Sequence, residues 1–167
     1  FYVGGASKQI GGLFTQTSNG DFIKKEQSVF EEDKLKEDIA TLFFDADKDG
    51  DLDLYVGSGG NEFYHKNEHL KDRLYFNDGL GNYTKKEAVL PSFFNHTSVV
   101  IAADFDRDND LDLFVGSRSI PVNYGLPPAS YLLENDGNGN FTDITEKAAP
   151  ELKKAGMITD AIWTDYD

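Results

Sequence analysis

Nine residues constrain this chain more than any others: Asp45-Ala46-Asp47-Lys48-Asp49-Gly50-Asp51-Leu52-Asp53. Five aspartates alternate around one glycine, and the apolar run Leu54-Tyr55-Val56 follows at once. In an extended strand the alternation would send all five carboxylates to one face. A tight turn points them inward at one spot, and Gly50 marks that turn because glycine reaches positive φ without a Cβ clash. Two carboxylates ~4 Å apart repel by about 1 kcal/mol in water and about 4 kcal/mol at an effective dielectric of ~20. A chain that gathers five of them calls for a hard cation with oxygen ligands. Ca2+ fits best, taking about six to eight oxygens in flexible geometry.

The stretch recurs. Asp104-Phe105-Asp106-Arg107-Asp108-Asn109-Asp110-Leu111-Asp112 follows 59 residues later, from 45 to 104, and Asp165-Tyr166-Asp167 begins a third copy 61 residues after that. The flanks repeat with it. Leu52-Asp53-Leu54-Tyr55-Val56-Gly57-Ser58 matches Leu111-Asp112-Leu113-Phe114-Val115-Gly116-Ser117, and Asn77-Asp78-Gly79 matches Asn135-Asp136-Gly137. Phe1 to Gly5 reads like Leu54 to Ser58, and Gly12 to Phe22 like the later hairpin.

Each full unit carries four short β-rich runs bounded by turn residues. They fall at Ile39–Phe44, Asp53–Gly57, Leu74–Asn77 and Asn82–Lys86, then at Ser98–Ala103, Asp112–Gly116, Tyr131–Asn135 and Asn140–Ile144. The acidic loop joins the first two strands of a unit. The Asn-Asp-Gly turn joins the last two, with Gly79 and Gly137 supplying the positive φ such hairpins need. Glu31–Asp38 and Thr145–Ala155 read as weakly helical linkers. Four antiparallel strands in about 60 residues, repeated, are the pattern of a β-propeller blade. The expected fold is therefore all-β. It comprises a partial blade at 1–30, complete blades with acidic loops at 31–90 and 91–148, and a linker with the start of another blade at 149–167. Fewer than three full repeats cannot close an ordinary ring, so the chain reads as a mature or excised part of a longer protein.

Ligand roles follow position by position. In the first loop Asp45, Asp47, Asp49 and Asp53 offer carboxylates, Asp53 in bidentate fashion, and Asp51 offers its backbone carbonyl with its side chain pointing out. Asp104, Asp106, Asp108, Asp110 and Asp112 take the same roles in the second, where Asn109 replaces the glycine and tolerates the left-handed region. Asp165 and Asp167 begin a truncated third site. Neither loop is an EF-hand, which needs a bidentate Glu at its twelfth position; Val56 and Val115 stand there. The expected role of the metal is structural, tying the first strand of a blade to the second.

Charge excludes some partners. Thirty Asp and Glu against 16 Lys and Arg leave a net charge of -14, which opposes nucleic acid and anionic membrane surfaces. There is no cysteine, so neither disulfides nor thiol chemistry arise. No apolar run reaches the length of about 18 residues that a membrane helix needs.

Other candidates are weaker. His65 and His69 lie four apart near Glu62 and Glu68, a spacing zinc sites use on helices, but the His-Glu-x-x-His order is absent. His96 precedes a strand and reads as structural. The loop Arg118–Ser130 holds Pro121, Pro127, Pro128 and Tyr124, which suit contact with a ligand or equally packing over a blade. Phe43, Phe44, Phe76, Phe93, Phe94, Phe141 and Trp163 read as blade-to-blade core. No Ser/His/Asp set or phosphate loop is present, and the sequence favours a non-catalytic module over an enzyme.

The acidic loop with its following strand resembles the calcium-binding FG-GAP/VCBS repeats, as in the propeller of integrin α subunits. Val56 to Phe63, Asp72-Arg73-Leu74-Tyr75, Tyr131 to Asn135 and Ile158 to Asp165 resemble, more closely, VCBS-repeat proteins of Bacteroidota-type bacteria, which often carry an ASPIC-type domain. The resemblance implies a calcium propeller of seven or eight blades, exported and often surface-anchored as a lipoprotein. The two function classes that follow are a protein- or glycan-binding scaffold at the cell surface, as in an outer-membrane transporter assembly, and the propeller portion of a polysaccharide lyase or hydrolase.

Overall fold

The computed structural model describes residues 1–64 and 66–165. Among these residues eleven strands form three antiparallel sheets in chain order. The first contains β1 (Tyr2–Val3), β2 (Gly12–Gln16) and β3 (Phe22–Lys25). A helical turn, α1 (Ser28–Glu32), leads to the second: β4 (Glu37–Phe44), β5 (Asp53–Gly59), β6 (Arg73–Asn77) and β7 (Tyr83–Lys85). The third contains β8 (His96–Ala103), β9 (Asp112–Ser119), β10 (Tyr131–Asn135) and β11 (Phe141–Asp143). A second short helix, α2 (Thr145–Ala148), and a 3-10 turn at Pro150–Lys154 follow. The two four-stranded sheets run as meanders, β4-β5-β6-β7 and β8-β9-β10-β11. This is the all-β, four-strand repeat architecture of a β-propeller-like fragment.

Strand β5 is buried along its whole length because both of its faces are covered. Alternation then sorts its side chains. Leu54 and Val56, with Tyr75 and Tyr83, pack toward the first sheet against Leu13 and Phe30. Tyr55, Leu74 and Phe76 face the third sheet and meet Val100, Leu113, Val115, Leu133 and Phe141. Phe44, Phe93 and Phe141 lie in that same layer, as expected for blade-to-blade core. Phe43 packs at the edge of the first layer, Phe94 sits under the Lys71 ammonium, and Trp163 stacks on Phe105.

Gly57 shows why the Val-Gly-Ser segment repeats. A Cβ there would stand 2.5 Å from Thr97 Cγ2 of the neighbouring sheet, and one at Gly116 would stand 2.6 Å from Val99 Cγ1 and 2.9 Å from Ile158 Cγ2. Only glycine lets the second strand of a blade approach the next element so closely.

The linker helix lies elsewhere than expected. The sequence places weak helix over Glu31–Asp38; the structure has α1 at Ser28–Glu32 and β4 already under way at Glu37. Phe30 anchors the helix, its ring edge-on to Tyr2 and Tyr75. Asp38 draws the next residues into the sheet. Its Oδ2 accepts from Tyr2 Oη at 2.9 Å and from the Gly5 amide at 2.8 Å, and its Oδ1 meets Arg73 Nη2 at 2.6 Å. Arg73 and Asp38 side chains are both only 4% exposed, so the ion pair is buried within the second sheet, and the bonds of Asp38 to Tyr2 and Gly5 tie the first sheet to it.

Candidate metal centres

Both acidic loops cross from the first to the second strand of a sheet, β4 to β5 and β8 to β9, at the same end of the two sheets. In each, one oxygen from each of the three leading aspartates gathers within 4.8 Å of the others: Asp45, Asp47 and Asp49 in one, Asp104, Asp106 and Asp108 in the other. The backbone explains the convergence. Lys48 and Gly50 have φ of 62° and 91°, and Arg107 and Asn109 of 67° and 71°, so two residues per loop turn left-handed. Asn109 thus takes the conformation of Gly50, as its side chain allows. The loops share their internal bonds. The Gly50 and Asn109 amides donate to Asp45 Oδ2 and Asp104 Oδ2 at 3.1 Å, and the Asp51 and Asp110 amides to Asp49 Oδ1 and Asp108 Oδ1 at 3.1 Å.

The last aspartate of each loop is fully buried. Asp53 accepts from the Ala46 amide at 2.9 Å and the Asn77 amide at 2.8 Å; Asp112 accepts from Phe105 at 3.3 Å and Asn135 at 2.9 Å. Each therefore fastens its loop to the third strand, and keeps a second lone pair on each oxygen. Asp51 does not simply point outward as the sequence reading has it: its Oδ1 is buried without a hydrogen-bond partner. Asp45 Oδ1, Asp47 Oδ1 and Asp110 Oδ1 are in the same condition. Asp165 lies in a terminal segment without regular secondary structure, outside any cluster among the described residues, and Asp167 lies outside the described residues.

The electrostatics carry the mark of crowded carboxylates. Burial, and then the charges of Asp47 and Asp49, push Asp53 up to about 6 against the backbone donors that oppose the shift. Burial, then Asp108 and Asp112, likewise push Asp110 up to about 6, with Lys48 opposing. Asp51 is raised by burial, then by Asp49, Asp47, Asp45 and Asp78.

Two contributors escaped the sequence reading. Asn135 uses both ends of its amide: Nδ2 donates to Ala46 O of the neighbouring loop at 2.9 Å and to Leu111 O at 3.1 Å, while Oδ1 accepts from the Gly137 and Gly139 amides at 3.2 Å. The hairpin of one blade thereby holds the acidic loop of the blade before it. Lys48 reaches the same interface, 3.9 Å from Asp110 Oδ2. The signal for Asn135 was its recurrence with Asn77; what it touches is not a local property.

The zinc alternative gains no geometry. His69 lies in a single 3-10 turn, Glu68–Leu70, with its ring against Phe63, and His65 lies outside the described residues. Among the described residues no metal-ligating group converges there.

Residues 45–115 match the family model of the FG-GAP-like repeat. The matched stretch opens on the first aspartate of one acidic loop and closes on Val115, beyond the last aspartate of the next, so it spans one whole period with both loops. No curated protein matches the chain.

Proposed function

We propose that the chain is a calcium-stabilised β-propeller repeat module that works outside the cytoplasm as a binding scaffold for a protein or glycan of the cell surface. The observation that carries this reading is the set of buried carboxylate oxygens in repeated loops that have no hydrogen-bond partner among the described residues: Asp45, Asp47 and Asp51 in the first, Asp110 in the second. A buried unpaired carboxylate is costly, and an all-oxygen, all-carboxylate donor set is the chemistry of Ca2+. Asp45, Asp47 and Asp49 with Asp51 and Asp53, and the matching five in the second loop, would hold the ion. Bound there, Ca2+ would supply the positive charge that lets five carboxylates share one turn.

The protein's own part is organisation. The loop amides orient the leading aspartates, Asp53 and Asp112 lock each loop to its sheet, and Asn135 couples one loop to the next blade. Extracytoplasmic millimolar Ca2+ suits sites of this kind, where modest affinity suffices. Nothing in the loop resembles a general acid or base placed beside a cleft, so the loops act as clamps. Calorimetric titration of chelator-stripped protein tests the reading: about two Ca2+ should bind per chain, with Mg2+ a poor substitute because it demands stricter octahedral geometry. Absence of Ca2+ binding would overturn it.

A further inference from the structure

At the ends of the sheets away from the acidic loops, a cleft of about 460 Å3 opens between the second and third units. That lies within the range of about 300–1,000 Å3 typical of small-ligand sites. Its chemistry comes from Glu37, Glu62, His96, Arg118 and Tyr124, with serine and threonine hydroxyls between them.

Repetition fails at this cleft. Positions 59 apart agree from Asp53 to Ser58 save for Phe114 in place of Tyr55, but Glu37 is answered by His96, Gly59 by Arg118 and Gly60 by Ser119. These last six line the cleft. The backbone frame still repeats: register slips between Asp38 and Ala40 in β4, and between Thr97 and Val99 in β8, place a bulge at Ile39 and at Ser98. A further slip in the third sheet leaves Arg118 without a register partner. Bulges re-aim side chains and occur next to functional sites. The frame is thus kept while the side chains it presents are individual.

His96 forms part of the wall of the cleft. It keeps 9% of its surface, its Nδ1 is 2.7 Å from Ser119 Oγ, and its Nε2 is buried. Burial lowers its pKa, against a hydrogen bond to the Gly60 backbone and the charge of the Glu62 carboxylate. Glu37 has its pKa raised by burial, then by Glu62 and Asp38, so two cleft carboxylates are near enough to repel. Tyr124 stands 81% exposed at the margin.

These groups discriminate among ligand classes. No three metal-ligating side chains converge here among the described residues, so a metal ion lacks its donors. One guanidinium against two carboxylates opposes a phosphate or other polyanion. An apolar ligand would leave both glutamates without a polar partner. A polyhydroxylated ring suits this lining: hydroxyls donate to Glu37 and Glu62 and accept from Arg118, while the ring of Tyr124 takes the apolar side of the sugar. We propose that this inter-blade cleft is a binding site for a neutral saccharide. The proposal rests on the reading of the chain as a binding module and names its ligand class.

The test is calorimetric titration of the chain, in excess Ca2+, with a panel of neutral mono- and oligosaccharides and with spermidine as a cationic probe. Histidine ring signals are followed by NMR. A saccharide should bind one to one and shift the His96 resonances. Glu62→Gln and Tyr124→Ala should each weaken it by about tenfold or more. Arg118→Gly installs the residue found at the equivalent position of the preceding unit; it should weaken binding while leaving the melting temperature unchanged. Binding of spermidine alone would make this a cation site and overturn the proposal. So would saccharide binding that all three variants retain, and so would a panel with no binder. In that last case a Ca2+-dependent melt would leave the clamp reading intact, whereas saccharide binding without any Ca2+ response would overturn the clamps and spare the cleft.

Discussion

The two ends of each sheet are built on opposite terms. At the acidic-loop end, position after position repeats between the second and third units: the aspartates, the left-handed turn residues, the amide-to-carboxylate bonds. At the other end the backbone bulges repeat but the side chains do not. The acidic end concentrates like charges around buried oxygens, the feature on which the proposed Ca2+ sites rest. The opposite end neutralises its buried charge internally, through Arg73 with Asp38 and through Asp72, which accepts from Tyr55 Oη at 2.6 Å, the Ser58 amide at 2.7 Å and Thr97 Oγ1 at 2.7 Å. Repetition thus belongs to what holds the blades, and divergence to what the blades present.

Removing the cation should separate the two ends most sharply. Two Ca2+ sites at about 100-fold saturation add roughly 2.7 kcal/mol each, which for a chain of this size raises the melting temperature by roughly 10 °C or more. Differential scanning calorimetry with and without EDTA measures it; identical melts would erase the contrast between the ends. Next, Arg73→Ala leaves Asp38 charged and buried, which costs about 3–5 kcal/mol. Because the pair lies away from the acidic loops, denaturant titration should give the same loss with Ca2+ and without, and a strongly Ca2+-dependent loss would merge the two ends into one unit.

Asn135→Ala is smaller in effect but sharper in meaning. It orphans the Ala46 carbonyl and two hairpin amides, costing roughly 1–3 kcal/mol. It should also weaken Ca2+ at the first loop, although Asn135 belongs to the other blade; unchanged affinities at both sites would show that the loops act independently. The pH response is the mildest. Asp53 and Asp110 titrate near 6 in the folded, calcium-free chain, against an ordinary 3.8. Between about pH 4 and about pH 6 the folded state holds protons that the unfolded state has released, so calcium-free stability falls as pH rises through that window. Ca2+ competes with those protons, so its affinity rises with pH over the same window. Thermal melts from pH 4 to 7, with and without Ca2+, should therefore slope in opposite senses; parallel slopes would mean that the two carboxyls do not face the ion.

Legibility divides along the same line. The acidic loops and hairpin turns could be read from the chain because their causes are local: carboxylate spacing, and φ at Gly50, Gly79 and Gly137. The strands lay where the β-rich runs placed them, within a few residues. The helix near residue 30 was misplaced because Phe30 is held by Tyr2 and Tyr75 from other sheets. Asp33, Asp38 and Asp72 could not be picked out among 30 acidic residues, since nothing in their neighbourhood announces that each faces a buried donor. His96 read as structural from its place before a strand. Its bond to Ser119 agrees with that.

The opening nine residues, their recurrence 59 positions on, and the four-strand rhythm between them determined that this chain forms repeated all-β blades with clustered carboxylates, because local conformation and charge spacing are written in consecutive residues. Only the tertiary structure decided why Gly57 and Gly116 must be glycine, which hairpin grips which loop, and that Glu37, His96 and Arg118 share one cleft. Those facts arise where one blade meets the next, between residues that sequence order keeps far apart.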